Sequence, residues 1–145
     1  MKLSLRLFPA ALFLLLLSLV PFRKASSQTT PGVSDKEITI GSCSALEGPS
    51  QFLGTQTVAG AKAYFESVNE AGGVHGRKLR LLSSDDSYDP AKAEACFEHL
   101  QKQSVFAMGF FVGTPTAVKY VPLAESNKIP LVGLFTGAQI GRAHV

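Results

Sequence analysis

The 145-residue sequence predicts an α/β fold, a doubly wound parallel sheet. Three observations carry that prediction. Short β-branched runs alternate with stretches of helical periodicity along most of the chain. The helical stretches have the length that crossovers between parallel strands require. One run, Val105 to Val112 (VFAMGFFV), is apolar throughout, as in a strand covered on both faces.

The elements follow in order. Glu37 to Ser42, with Ile38, Thr39 and Ile40, reads as the first strand, and Ala45 to Gly54 as a turn-rich loop. From Thr55, Val58, Ala61, Phe65 and Val68 recur at helical spacing until Ala71-Gly72-Gly73 supplies a glycine stop. Lys78 to Ser83 is the second strand. Asp89-Pro90 then offers an N-cap carboxylate and a pre-set φ to a helix burying Ala93, Cys96, Phe97 and Leu100. After the Val105 strand, Gly113-Thr114-Pro115-Thr116 turns into a helix with Ala117, Tyr120, Val121 and Ala124 on one side. Pro122 predicts a kink there or two short segments. Ile129 to Leu134 is the fourth strand.

Composition narrows the function classes. With 46% hydrophobic and 17% charged residues the chain is not a disordered one. Two cysteines cannot build a disulfide framework or a four-cysteine zinc site. The net charge of +3 invites a nucleic-acid reading, but its position removes that reading. Lys2, Arg6, Arg23, Lys24 and Arg142 lie in the two ends, and Gln28 to Gln139 carries nine basic against eleven acidic side chains. Beyond Arg77, Lys78 and Arg80 nothing basic clusters, so no nucleic-acid partner is expected.

Both ends read as separate from the domain. Residues 1–27 have the grammar of a secretory signal peptide: Lys2 and Arg6, an apolar run from Phe8 to Val20, and Ala25-Ser26-Ser27 before Gln28. The alternative is a membrane anchor, which Arg23 and Lys24 after the run favour. The run falls short of the roughly 20 apolar residues that span a bilayer. At the other end, residues 140–145 (IGRAHV) match the translation of ATC GGA AGA GCA CAC GTC, part of a common short-read library adapter. They are expected to be a non-native tail on a truncated gene, leaving residues 28–139 as the domain.

In doubly wound sheets, ligands sit outside the carboxyl ends of the strands. The segments to inspect are therefore Cys43 to Gln51, Ser84 to Asp89, Gly113 to Thr116 and Phe135 to Ala138. No Gly-x-Gly-x-x-Gly, Gly-x-Ser-x-Gly or Gly-Lys-Ser/Thr occurs, so dinucleotide, hydrolase and phosphate-loop chemistry lack support. His75 and His99 read as solvated surface residues. Asp85-Asp86 suggests a cation site or a phospho-acceptor pocket, but the favoured reading pairs them with nearby Lys or Arg and has them cap the turn into the second helix, which Asp89 caps directly. Gly113, Thr114 and Thr116 would bring free N–H groups and hydroxyls to the crevice, and Phe135, Thr136 and Gly137 lie on the next loop. That combination suits a small carboxylate, with capping and turning as the alternative role of each residue.

The segments GVSDKEITIGSCSALEGPSQFLGTQTVAGAKAYFESVNEAGGVHGRKLRLLSSDDSYDP, VFAMGFFVGTPTA and PLVGLFTGA closely resemble the first lobe of type I periplasmic binding proteins. The nearest branch is the leucine/isoleucine/valine-binding group, the receptors of ABC importers, and the resemblance covers nearly all of Pro31 to Ala138. It implies one of two α/β lobes that close on a ligand, with no covalent chemistry, catalytic residue, cofactor or metal. Carried over, it places the amino acid's carboxylate and ammonium at Gly113, Thr114 and Thr136, with Glu47, Gly48, Ser50 and Gln51 flanking the ligand. The ABC permease is the implied partner and the periplasm the implied compartment.

Some members bridge the loop after the second strand to the end of the third. Tyr88 and Val112 stand at those places here, so that bridge is absent. Cys43 and Cys96 could pair in an oxidising compartment, but a strand end and a helix face define no distance, and two separate thiols are expected. With half the clamp outside this sequence, ligand binding is expected to be poor. Receptors and regulators use the same lobe for sensing, which is the alternative function. An enzyme of flavodoxin-like or response-regulator type would need an acidic pocket where Ser42-Cys43-Ser44 stands.

Overall fold

The computed structural model describes residues 30–137; the leader and the terminal hexapeptide anticipated above lie outside them. Its elements are β1 (Glu37–Ser44), α1 (Gln51–Glu70), β2 (Lys78–Asp85), α2 (Pro90–Lys102), β3 (Ala107–Gly109), α3 (Thr114–Ser126) and β4 (Leu131–Val132). All strands pair in parallel, in the order β2-β1-β3-β4. The chain leaves β1 toward β2 and then crosses back to the other side of β1. The topological switch point therefore lies between β1 and β3, at the carboxyl ends.

Alternation along β1 assigns the two faces. Cys43 points into the main core with Phe97 and Leu100 of α2, Met108 and Phe111 of the β3 segment, and Ala117 and Tyr120 of α3. Ser42 and Ser44 point the other way, beneath α1, which buries Gly54, Val58, Ala61 and Phe65. Helices thus cover both faces. Phe111 and Tyr120 meet edge to face with ring centroids 4.4 Å apart, adding to the core an aromatic pair of favourable geometry.

Several local expectations hold to the residue. Asp89 caps α2 by accepting from the Ala91 N–H at 2.8 Å, with Pro90 as the first helical residue. His75 sits exposed in its turn at φ 50°, and exposed His99 bonds Gln103 at 2.7 Å. β1 and β2 run two residues longer than the sequence suggests, and α1 begins at Gln51 rather than Thr55.

Four expectations are corrected in whole or in part. Cys43 and Cys96 are not separate thiols: they form a disulfide with Cα atoms 6.1 Å apart. Strand and helix share one core, and packing α2 on β1 supplies the proximity that linear sequence cannot show. The run from Val105 to Val112 is not one continuous strand. Phe110 takes φ 61°, which ends β3 after Gly109 and leaves Val112 only a single bridge to Phe135.

Of the two outcomes expected at Pro122, two short segments are ruled out, since α3 runs unbroken for 13 residues. The carbonyl that loses its partner is that of Val118, which is exposed, so water can satisfy it. Asp85 and Asp86 cap the turn before α2 as expected, accepting from the N–H groups of Ser87 and Tyr88, but they do not pair with Lys or Arg. The one ion pair among the described residues joins Arg80 to Glu37 at 3.3 Å. Asp85 instead collects N–H donors, as shown below.

Candidate ligand cleft

The break in β3 builds the site. The carbonyl of Phe110, turned out of the ladder, accepts from Ser44 Oγ at 2.9 Å and Ser42 Oγ at 3.3 Å. Both serines are fully buried, so two hydroxyls on β1 replace the ladder bond the kink removes. Beyond the kink, Phe135 N–H donates to the Phe111 carbonyl at 2.8 Å and Gly113 N–H to the Phe135 carbonyl at 3.0 Å. The loops after β3 and β4 are thereby zipped together at the carboxyl end of the sheet.

A cleft of about 270 Å³ opens there, lined by Leu53, Tyr88, Val112, Gly113, Thr114, Phe135, Thr136 and Gly137. The loops after β2, β3 and β4 contribute, and the first turn of α1 adds Leu53. Thr114 Oγ1 and Thr136 Oγ1 lie 2.7 Å apart, so two hydroxyls from neighbouring loops form one polar patch. The opening residues of α3 stand beside it, and Pro115 has no N–H, so the free donors at this helix start are those of Thr114 and Thr116. The rest of the lining is apolar or aromatic and includes no charged side chain. A carboxylate end with an apolar body matches that pattern.

Of the residues singled out from sequence, Gly113, Thr114, Phe135, Thr136 and Gly137 line this cleft. Thr116 does not: it is fully buried, and its hydroxyl donates to the carbonyls of Val112 and Gly113 at 3.0 and 3.1 Å. Glu47, Gly48 and Ser50 stand on the loop between β1 and α1, and Gln51 opens α1; all four are outside the lining residues. Gln51 N–H closes that loop onto the Gly48 carbonyl at 3.1 Å.

Leu53, Tyr88 and Val112 line the cleft without having been singled out for it. Leu53 is brought in by the first turn of α1, read as loop from sequence. Tyr88 lies within the Ser84 to Asp89 segment marked for inspection, and Val112 directly precedes Gly113, so adjacency in the chain was the available signal.

Gly113 has a defined reason to be glycine. Its φ is 119°, and an added Cβ would lie 2.7 Å from Tyr88 Cε2 and 2.8 Å from Thr116 Oγ1. The loop before α2 holds Tyr88 in place. Asp85 Oδ1 accepts from the N–H groups of Leu46 at 2.7 Å, Glu47 at 3.0 Å and Ser87 at 3.0 Å. Burial pulls the Asp85 carboxyl upward, but these donors and the Ser87 hydroxyl outweigh it and leave the group below the ordinary range. Asp86 is fully buried and is pushed up to about 6, by burial first and then by Asp85 and Asp89. Burial likewise pushes the Tyr120 phenol up to about 12. No group of three or more metal-ligating side chains occurs among the described residues.

The sequence profile described as periplasmic binding protein matches residues 37–144. The "Leu/Ile/Val-binding protein homolog 3" of Brucella melitensis is 31% identical over 110 residues, which are 76% of this chain and 28% of that protein. A possible leucine/isoleucine/valine-binding protein from Rhodopirellula baltica superposes with a TM-score of 0.69 at 31% identity, over 77% of this chain and 30% of that one. A fatty acid ABC transporter substrate-binding protein from Thermomonospora curvata gives 0.65 at 34%, over 70% and 26%. The chain thus spans under a third of the length of the relatives it matches. By sequence and by the parallel fold with its cleft at the strand ends, it belongs to the periplasmic binding protein family, whose members bind substrates and are not enzymes.

Proposed function

We propose that this chain is the ligand-contacting first lobe of an extracytoplasmic substrate-binding component of an ABC importer, for branched-chain or other amino acids or small apolar carboxylates. The single observation that carries the reading is the pairing of Thr114 and Thr136 hydroxyls at the start of α3, within an otherwise apolar cleft. Hydroxyls and free N–H groups suit a carboxylate; Leu53, Tyr88, Val112 and Phe135 suit an aliphatic or aromatic body. The relatives' names, covering leucine, isoleucine and valine on one side and a fatty acid on the other, share that chemistry.

The partners in this reading are the small molecule and the importer's permease, and export through a cleaved leader at residues 1–27 delivers the protein. Among the described residues no helix is long and apolar enough to cross a membrane. A second lobe would close on the ligand about a hinge, stabilising the closed state by its added contacts.

The test is chemical-shift mapping on the isotope-labelled chain with leucine, isoleucine, valine and short fatty acids. One lobe supplies part of the contacts, so weak binding is expected, with shifts confined to Gly113, Thr114, Thr136 and Gly137. Shifts elsewhere, or none with any carboxylate at high millimolar concentration, would overturn the reading. Selective response to a ligand without a carboxylate would favour a sensor of different chemistry.

A further inference from the structure

We propose that Asp86 is a positioning residue for the cleft: its carboxyl holds the Ser87–Tyr88 turn, and protonation of that carboxyl is coupled to how the Tyr88 ring sits against Gly113. The proposal deepens the ligand-cleft reading, and its test reads the protein without ligand.

The geometry begins with an unsatisfied atom. Asp86 follows the last residue of β2 and is fully buried. Tyr88 N–H donates to its Oδ1 at 2.9 Å, while its Oδ2 is buried with no hydrogen-bond partner among the described residues. A buried carboxylate oxygen without a donor is costly, and a proton there removes the charge. Among the described residues, the groups facing it supply no cation: Asp85 and Asp89 on the same loop are acidic, and Tyr120 from α3 brings a buried, uncharged phenol. Lys92 on α2 is engaged by the Ser87 hydroxyl at 2.9 Å, and the Cys43–Cys96 disulfide does not titrate.

The turn that Asp86 holds is one the chain would not adopt unaided. Ser87 and Tyr88 have φ of 50° and 62°, successive non-glycine residues in the left-handed region. Asp85 secures the first through Ser87 N–H, and Asp86 secures the second through Tyr88 N–H. An ionised acceptor makes the stronger hydrogen bond, so the Tyr88 seat is tighter with Asp86 charged and looser with it protonated. Because the ring abuts Gly113 and lines the cleft, a proton on a residue that touches no ligand reshapes one wall of the cleft.

The experiment is a ¹³C and ¹⁵N NMR titration of the labelled chain between about pH 4.5 and 8. The Asp86 carboxyl is expected to titrate with a midpoint near 6. The amides of Tyr88 and Gly113 should move with that midpoint, and contacts between the Tyr88 ring and Gly113 Hα should weaken below it. In Asp86→Asn, which keeps an acceptor for Tyr88, both transitions should vanish while those of exposed carboxylates persist. An Asp86 midpoint at the ordinary aspartate value of about 4 would overturn the proposal. So would flat Tyr88 and Gly113 signals in the wild type, or transitions that survive in Asp86→Asn. Should the variant not fold, the wild-type titration decides alone. Failure here leaves the carboxylate reading standing, and failure of ligand mapping leaves this titration unaffected.

Discussion

The side chain of Asn69 pairs with the backbone of Leu79 as a neighbouring strand would. Its Oδ1 accepts from the Leu79 N–H at 2.7 Å and its Nδ2 donates to the Leu79 carbonyl at 2.9 Å. β2 is an edge strand, and the edge-facing N–H and C=O of Leu79 would otherwise stay open. The last turn of α1 thus blocks the sheet edge with one carboxamide. Asn69→Ala should cost about 1–3 kcal/mol, because both backbone groups lose their partner. Urea denaturation measures it, and Asn69→Asp, which keeps only the acceptor, should recover part of the loss at most.

The Cys43–Cys96 bond closes a loop with a sequence separation of 53 between β1 and α2. Loop-closure entropy for that length predicts a loss of about 4 kcal/mol on opening it. Thermal denaturation with and without reductant should show a clear drop in midpoint. Mass spectrometry of the chain exported to an oxidising compartment should find no alkylatable thiol in the native state. Full alkylation of both cysteines under native, non-reducing conditions would contradict the pairing.

Gly54 and Gly60 lie on the same helix and should respond with opposite sign to alanine. A Cβ at Gly54 would stand 2.0 Å from the Ala45 carbonyl oxygen, so α1 must move off the loop after β1. Loss of about 3 kcal/mol or more is expected, as for overpacking against backbone. Gly60 meets nothing within 4 Å and is exposed. Gly60→Ala should stabilise the chain by up to about 1 kcal/mol through helix propensity. Equal effects in denaturant melts would contradict the placement of α1.

Stability should depend on pH through two adjacent carboxyls of opposite sense. Asp86 is raised from 3.8 to about 6, so its contribution is complete below pH 3.8. As pH rises from 3.8 to about 6 the unfolded chain ionises first, and that contribution is lost. The change is on the order of 3 kcal/mol. Asp85, held below its ordinary value, contributes stability above pH 3.8 that is lost as pH falls through its lowered value. In Asp86→Asn, melts should lose the slope between pH 4 and 6 (about the span of the shift) and keep the acid limb. A slope unchanged by the substitution would contradict the assignment.

Much of the architecture was legible because it is written in local periodicity. Ile38 and Ile40 mark β1, Val58, Ala61 and Phe65 mark α1, and Asp89-Pro90 sets the start of α2 within one residue. Gly113, Thr114, Phe135, Thr136 and Gly137 were legible as residues of the cleft because ligand loops in such sheets follow the strands. The rest was not local. Phe110 takes a left-handed φ inside an apolar run because buried Ser42 and Ser44, far away in sequence, accommodate its displaced carbonyl. Thr116 reads like Thr114 on paper, but two residues along the helix, roughly half a turn, rotate its hydroxyl into the core, onto the Val112 and Gly113 carbonyls.

By itself, then, the sequence determined the order and type of the elements, and hence an α/β lobe with its loops gathered at one end, since periodicity and caps depend on neighbours along the chain. Only the tertiary structure decided that Cys43 meets Cys96, that Tyr88 closes on Gly113, and that Asp86 is left buried with one oxygen unanswered. Those relationships depend on which faces the crossovers press together, a property of packing rather than of spacing.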